Sequence, residues 1–148
     1  MRQILSKRRR GRGKVTHLKI ALWVIHGLIC ALFLAAGGFK GFAPADLLLA
    51  QATNGLPWIK DTPLIVARIA GISEFFGALG LLLPLVIKAL PARLPGLAAA
   101  GLTLIMILAA GFHIMRGELV AMPANLVIGA MTGFVAWGRL GPHALRQA

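Results

Sequence analysis

Residues 64–87 read LIVARIAGISEFFGALGLLLPLVI, an apolar run of twenty-four positions that contains two charges, Arg68 and Glu74. A helix rises about 1.5 Å per residue and the hydrocarbon core of a bilayer is about 30 Å thick, so roughly 20 such residues cross it. The run lacks the strict alternation of apolar and polar residues that a membrane β-barrel requires. It therefore predicts a transmembrane helix with a carboxyl group near its middle.

Three further runs of similar length carry no charge at all, at residues 20–39, 94–115 and 119–137. Proline and glycine, which mark turns, stand between the four runs. The sequence therefore predicts an all-α fold, a four-helix transmembrane bundle over residues 20–139. A basic leader of residues 1–19 precedes this membrane domain, and a short tail of residues 140–148 follows it.

The composition agrees with a membrane protein. Of the 148 residues, 58% are hydrophobic and 14% are charged, whereas soluble proteins are about half apolar and about a quarter charged. The shortage of charge excludes an ordinary soluble enzyme, and the apolar excess excludes a disordered chain. The single cysteine, Cys30, excludes an internal disulfide and a cysteine-rich metal site.

The positions of lysine and arginine predict the orientation. With the N-terminus in the cytoplasm, twelve of the sixteen basic residues fall on the inner side and three on the outer side, and Arg68 lies within a span. This bias follows the positive-inside rule, so both termini are expected in the cytoplasm.

The leader holds eight of the basic residues, mostly in SKRRRGRGK at positions 6–14. We interpret it as an anchor on anionic lipid, which attracts each basic residue by about 1 kcal/mol. A secretion signal and a nucleic-acid tail are the alternatives. The apolar run that follows is longer than the 7 to 15 residues of a signal peptide, and no nucleic-acid partner is expected.

Glu74 is the main candidate for function. A charge at the middle of a membrane helix costs roughly 2.5 to 3.5 kcal/mol, so such residues are functional candidates by default. Its neighbours one turn away are all small, Ala70, Gly71, Gly77 and Ala78, so another helix can approach closely and shelter the carboxyl group. We expect Glu74 either to carry a proton or to pair with a cation.

The candidate partners of Glu74 fall in the outer half of the membrane: Lys40, Arg68, His113 and Asn125. Arg68 lies about 120° round the helix from Glu74, so a direct pair would require it to lean. Two alternatives stay open, namely that Arg68 reaches the outer head groups and that His113 bonds a carbonyl. The five residues form the predicted ligand-binding cluster. No catalytic residue is assigned and no metal site is expected.

Two other features favour packing. His26 lies in the inner half of the first run and is interpreted as a core histidine, and the pairs Gly37–Gly41 and Gly129–Gly133 are typical of close helix contacts.

The connection at residues 40–63 is long for a bundle. Pro44 and Gly55 are expected to begin and end a short helix in it, and its apolar residues would place that helix on the outer membrane surface, anchored by Trp58. It is either a lid over a lipophilic ligand or an idle interfacial loop.

Four pieces of the sequence resemble the DoxX-like membrane proteins in their order and spacing: LAAGGFKGF (34–42), NGLPWIKDTP (54–63), RIAGISEFFGALGLLLP (68–84) and GFHIMRGE (111–118). The resemblance covers residues 20–139, and its most specific part is residues 68–84. It implies a four-helix protein of the bacterial inner membrane that is related to the small subunits of a thiosulfate:quinone oxidoreductase. Relatives act in membrane redox or oxidative-stress assemblies.

Two functional hypotheses follow. In the first, the cluster binds a quinone head group, and a protein partner supplies the redox centre that this chain does not hold. In the second, the chain is a non-catalytic scaffold or assembly factor. A transporter is a third reading, which would require oligomerisation; a homo-oligomer is left open.

Overall fold

The computed structural model describes residues 2–53 and 56–141, with side chains from Thr16 onward. Three features of the sequence analysis lie outside the described residues: the basic side chains before Thr16, the helix end expected at Gly55, and the tail after Gly141. The described residues form five α-helices and one 3₁₀ turn, and they contain no strand. The helices are α1 (Arg2–Phe42), α2 (Ala45–Ala50), α3 (Leu64–Val86), α4 (Leu94–Met115) and α5 (Met122–Leu140), and the 3₁₀ turn is Pro57–Ile59.

Three of these helices are long and apolar enough to cross a membrane: α1 over Thr16–Phe42, and α3 and α4 over their full lengths. The all-helical fold predicted from the sequence is confirmed at this level. α5 has 19 residues and is not among the three, because Asn125 and Arg139 lower its mean hydropathy.

The predicted and observed helix boundaries agree best where prolines and charged residues stand at both ends of an apolar run. α3 and α4 coincide with the predicted spans to within one residue. α1 extends beyond residues 20–39 at both ends. α5 begins at Met122 rather than at residue 119, because the N–H of Ala121 bonds the Glu118 carbonyl in a turn. Pro123 then lies in the first turn of α5, where its missing N–H has no cost.

The four long helices contact one another in a ring, in which α1 packs against α3 and α5, and α4 packs against the same two helices. The large apolar side chains that are fully buried between them are Leu22, Ile29, Leu81, Leu102 and Val135. On the outer surface, Leu28, Leu104 and Leu108 are each more than half exposed. An apolar surface of this extent requires an apolar surrounding.

α1 and α3 approach most closely at three glycines. A Cβ atom added to Gly71 would collide with the backbone of Lys40 and Gly41, and one added to Gly37 would lie 2.9 Å from the Gly71 carbonyl oxygen. The close helix contact predicted at Gly37 and Gly41 is confirmed. It brings the end of α1 against the part of α3 that carries Glu74.

The connection between α1 and α3 folds back onto α3. Leu48 of α2, Ile59 of the 3₁₀ turn and Ala67 of α3 form a second small core. Pro44 precedes α2, as the sequence predicts.

Candidate functional site

Glu74 and Lys40 form an ion pair between α3 and α1. The Lys40 ammonium donates a hydrogen bond of 2.6 Å to Oε1 of Glu74. The Glu74 side chain is 5% exposed and that of Lys40 is 15% exposed. The small neighbours of Glu74 allow this burial: Gly71 lies against the Lys40 backbone, and Ala78 is fully buried. A charge-assisted hydrogen bond in such a place is strong, and the loss of either partner leaves a buried charge uncompensated.

A cavity of about 90 Å³ lies beside this ion pair. All four long helices contribute to its lining: Leu32, Phe33, Ala36 and Lys40 from α1, Glu74 from α3, Met106 from α4, and Asn125 and Ile128 from α5. Leu32 is also 40% exposed on the outside of the protein. The cavity therefore lies close behind the apolar outer surface, between α1 and α5.

The polar atoms around the cavity retain unused hydrogen-bonding capacity. An ammonium group has three donors, and Lys40 uses one of them on Glu74. The Asn125 side chain donates through Nδ2 to the Ala121 carbonyl at 3.3 Å, which leaves its own carbonyl oxygen as an acceptor. A ligand in the cavity would meet donors and acceptors on an otherwise apolar wall.

Arg68 lies behind Lys40. Its Nη1 donates to the Lys40 carbonyl at 3.2 Å, and its Nη2 donates to the Ala43 carbonyl. Among the described residues it makes no hydrogen bond to Glu74, and it does not line the cavity. Arg68 therefore bonds the end of α1, which neither of the sequence-based alternatives anticipated.

His113 belongs to a separate cluster. Its ring Nδ1 donates to Oε2 of Glu118 at 2.7 Å, and Arg116 Nε donates to Oε1 of the same carboxylate at 2.7 Å. Trp58 lies edge-on to the His113 ring, with 6.4 Å between the ring centroids. The five predicted ligand-binding residues therefore divide: Lys40, Glu74 and Asn125 surround the cavity, Arg68 supports Lys40, and His113 is elsewhere.

The contact between Glu118 and His113 was not predicted from the sequence, although the glycine before Glu118 indicates it. Gly117 has a φ of +72°, the left-handed conformation that ends many helices. The N–H of Glu118 bonds the His113 carbonyl, and the N–H of Gly117 bonds the Ile114 carbonyl. This is the Schellman pattern, in which the N–H of the residue after the glycine bonds the carbonyl of the residue five positions earlier. A glycine at position 117 thus predicts that Glu118 lies over His113.

Burial raises the pKa of the Glu118 carboxyl group, but the hydrogen bonds and charges of Arg116 and His113 outweigh burial and lower that pKa below its ordinary value.

The Glu118 cluster also joins two connecting segments. Arg116 lies 3.8 Å from the Asp61 carboxylate, so it links the turn after α4 to the connection before α3. Over its described residues, 43–53 and 56–63, that connection contributes no side chain to the cavity lining. Its contacts with the predicted cluster are Trp58 on His113 and the Ala43 carbonyl, which accepts from Arg68.

The opposite end of the helix bundle from the Lys40–Glu74 pair holds a second set of buried polar groups. His26 is 1% exposed, and its Nε2 lies 3.3 Å from the Leu81 carbonyl, as fits a core histidine. Arg139 is 7% exposed, and its guanidinium lies 4.3 Å from the centre of the Trp23 ring. Arg139 is one of the twelve basic residues predicted on the inner side, and its burial was not expected from the sequence. Within the part of the chain that the structure describes, no group of three His, Cys, Asp or Glu residues is placed to hold a metal ion.

The part of the chain that forms this site matches a known protein family. No curated protein and no solved structure matches the chain. The sequence profile of the DoxX-like family matches residues 24–135, about three quarters of the chain, and this range includes every residue that lines the cavity. With its apolar helices, the chain is a multi-pass membrane protein and belongs to the DoxX-like family.

Proposed function

We propose that α1, α3, α4 and α5 all cross a bacterial inner membrane, with both termini in the cytoplasm. The ring of helix contacts places α5 between two helices that are apolar enough to span. The polar groups of α5 turn inward: Asn125 lines the cavity and Arg139 is buried, whereas Leu126 and Val127 are 50% and 60% exposed. α5 therefore presents an apolar surface to lipid despite its lower mean hydropathy.

Within this arrangement, the cavity beside Lys40 and Glu74 binds the head group of a lipophilic molecule, for which a quinone is the best candidate. The observation that carries this proposal is a buried ion pair on the wall of a cavity that lies directly behind the lipid-facing surface. The apolar tail of the ligand would remain among the acyl chains, beside Leu32 and Ile128.

The size of the cavity sets a condition on this ligand. The cavity volume of about 90 Å³ is smaller than that of the engineered cavity of about 150 Å³ that a benzene ring occupies. A quinone ring therefore enters only if the cavity widens. Met106, whose side chain adapts readily, and the partly exposed Leu32 are the lining residues that can move.

A quinone supplies two-electron, two-proton redox chemistry. The residues of this chain would bind and orient it: Lys40 donates to a head-group carbonyl, and the second oxygen of Glu74 accepts from a hydroxyl group. The side chains around the cavity are not redox-active, so a partner protein supplies the electrons. The chain would then be a non-cofactor subunit of a quinone-linked oxidoreductase or of an oxidative-stress assembly.

The proposal is tested by filling the cavity from its lipid side. Leu32→Trp places a larger side chain in the lining, and Leu28→Trp is the matched control because Leu28 lies one turn away and is 56% exposed without lining the cavity. Both proteins, in lipid nanodiscs, are titrated with decylubiquinone. We expect Leu32→Trp to weaken binding at least about tenfold, or about 1.4 kcal/mol, and the control to bind as the wild type does. Equal binding by both variants contradicts the proposal.

A scaffold or assembly role is the second candidate. It is favoured by the position of the ion pair at the closest approach of α1 and α3, where it could serve packing alone. Glu74→Gln separates the two functions. Loss of quinone-dependent turnover with normal amounts of folded protein supports ligand binding, whereas a fall mainly in expression supports the scaffold.

The partner is identified by purification from the native membrane in mild detergent. A co-eluting redox protein or bound quinone supports the oxidoreductase subunit. A lone protein without ligand favours the scaffold, and the size of the purified species decides whether the chain forms a homo-oligomer.

A further inference from the structure

The end of α1 has a carbonyl group whose usual helical donor is missing. In a continuing helix, the Lys40 carbonyl accepts from the N–H four residues later, but that residue is Pro44, which has no N–H. A proline also disfavours the helical conformation in the residue before it, and α1 ends at Phe42. The Lys40 carbonyl therefore requires a donor from outside α1.

Arg68 supplies this donor from α3. Its Nη1 bonds the Lys40 carbonyl at 3.2 Å, and its Nη2 bonds the Ala43 carbonyl. The guanidinium group is planar, and its donors have a fixed geometry. Two bonds from one such group hold the last turn of α1 in a single position relative to α3.

Three residues of α3 contact different parts of Lys40. Arg68 bonds its carbonyl, Gly71 lies against its backbone and Cβ, and Glu74 bonds its ammonium group. These residues are three positions apart, so they follow one another along α3. The carbonyl bond fixes the backbone of Lys40, and the ion pair at the other end of the side chain depends on that placement.

We infer that Arg68 is a positioning residue, which acts on the cavity through Lys40 and does not touch the ligand. For the ligand, this inference rests on the proposed function; for the Lys40–Glu74 pair, it rests on geometry alone. It differs from the prediction made from the sequence, in which Arg68 belongs to the ligand-binding set.

The test measures the reactivity of Glu74 toward dicyclohexylcarbodiimide, which modifies protonated carboxyl groups in apolar surroundings. The Lys40 ammonium group, bonded to Oε1 of Glu74, shields this carboxyl group from the reagent. Arg68→Gln should displace Lys40 and raise the rate of modification at Glu74, followed by mass spectrometry, by about tenfold, or about 1.4 kcal/mol. Arg93→Gln, at an exposed arginine of the α3–α4 connection, should leave the rate unchanged.

The decisive variant adds Pro44→Ala to Arg68→Gln. Alanine restores the N–H at position 44 and removes the restriction that proline places on Ala43. If α1 then extends by these two residues, the new N–H bonds the Lys40 carbonyl, and most of the protection of Glu74 should return. An unchanged rate in Arg68→Gln, or no recovery in the double variant, overturns the inference. Arg68→Lys has one nitrogen in place of the guanidinium fork, so it cannot reproduce both bonds with the same geometry, and its rate should fall between those of Arg68→Gln and the wild type.

The same proteins separate this inference from the proposed function. The carbodiimide experiment is done without quinone, so its result stands even if the wild type binds no quinone. If Arg68→Gln abolishes decylubiquinone binding and Pro44→Ala restores the protection of Glu74 but not the binding, Arg68 contacts the ligand and the inference is wrong. If Arg68→Gln does not yield folded protein, Arg68→Lys is measured in its place, and a rate of modification at Glu74 equal to that of the wild type overturns the inference.

Discussion

At the scale of single residues, Lys40 and Glu74 depend on each other because both are largely buried. Lys40→Met leaves the carboxyl group without its cation and should lower the free energy of unfolding by about 3 kcal/mol. In the double variant Lys40→Met/Glu74→Gln no charge is left uncompensated, so much of this loss should be recovered. Thermal unfolding in detergent measures both, with the exposed Lys60→Met as a control. Additive losses in the double variant would contradict the coupling.

Glu118 leads to a prediction about pH. Its folded-state pKa lies below the ordinary 4.5 because Arg116 and His113 outweigh burial. Its contribution to stability is therefore fully present above pH 4.5 and is lost as the pH falls through the lower folded-state value. The ¹³C chemical shift of the Glu118 carboxyl group should titrate below pH 4.5, and at a higher pH in Arg116→Gln. A wild-type midpoint at or above 4.5 would exclude the paired carboxylate.

The sequence predicts the surroundings of a residue best where those surroundings are formed by the residue's own helix. Glu74 is surrounded by small residues of its own helix, and this predicted its burial. The roles of Arg68 and His113 depend on atoms from other segments. Arg68 bonds the Lys40 carbonyl, which has no helical donor because residue 44 is proline. His113 bonds the Glu118 side chain, which the turn at Gly117 brings close to it. Periodicity along one helix carries no information about either contact.

At the scale of the helices, the crossing of α1 and α3 tolerates no larger side chain. Gly71→Ala places a Cβ atom against the backbone of Lys40 and Gly41, so the helices must separate at a cost of about 1–3 kcal/mol. Gly101→Ala is the control, because no atom lies within 4 Å of its new Cβ and alanine favours a helix. Thermal unfolding in detergent should show a clear loss for Gly71→Ala alone. Equal melting temperatures would mean that the two helices are not in close contact.

The helices themselves were largely predictable, and their ends less so. α3 and α4 are apolar runs limited by prolines and charges, which determine their boundaries. The start of α5 was placed three residues too early, because Leu119 and Val120 are apolar although they lie in the turn after α4. Hydropathy alone does not distinguish an apolar turn from the first turn of a helix.

At the scale of the whole molecule, the proposed orientation predicts which side chains face each aqueous side. In a Cys30→Ala background, a cysteine at position 60 should react with a membrane-impermeant maleimide added to intact cells from the outer side. A cysteine at position 88 should react only after the inner membrane is opened. The reverse pattern would invert the proposed topology.

The cavity itself could not be predicted from the sequence. Its lining comes from four helices, so the space between them depends on how those helices pack against one another. The sequence indicated that Glu74 lies near the middle of the membrane and that Lys40 and Asn125 lie in its outer half. Their arrangement around one space is a result of packing.

The most direct test of ligand binding is to label the wild-type protein in its native membrane with a photoactivatable ubiquinone analogue and to map the adducts. We expect adducts on α1 near Leu32 and on α5 near Ile128. Excess ubiquinone should prevent them, and Leu32→Trp should greatly reduce them while Leu28→Trp does not. Adducts spread over the lipid-facing surface, unaffected by excess ubiquinone or by Leu32→Trp, would contradict it.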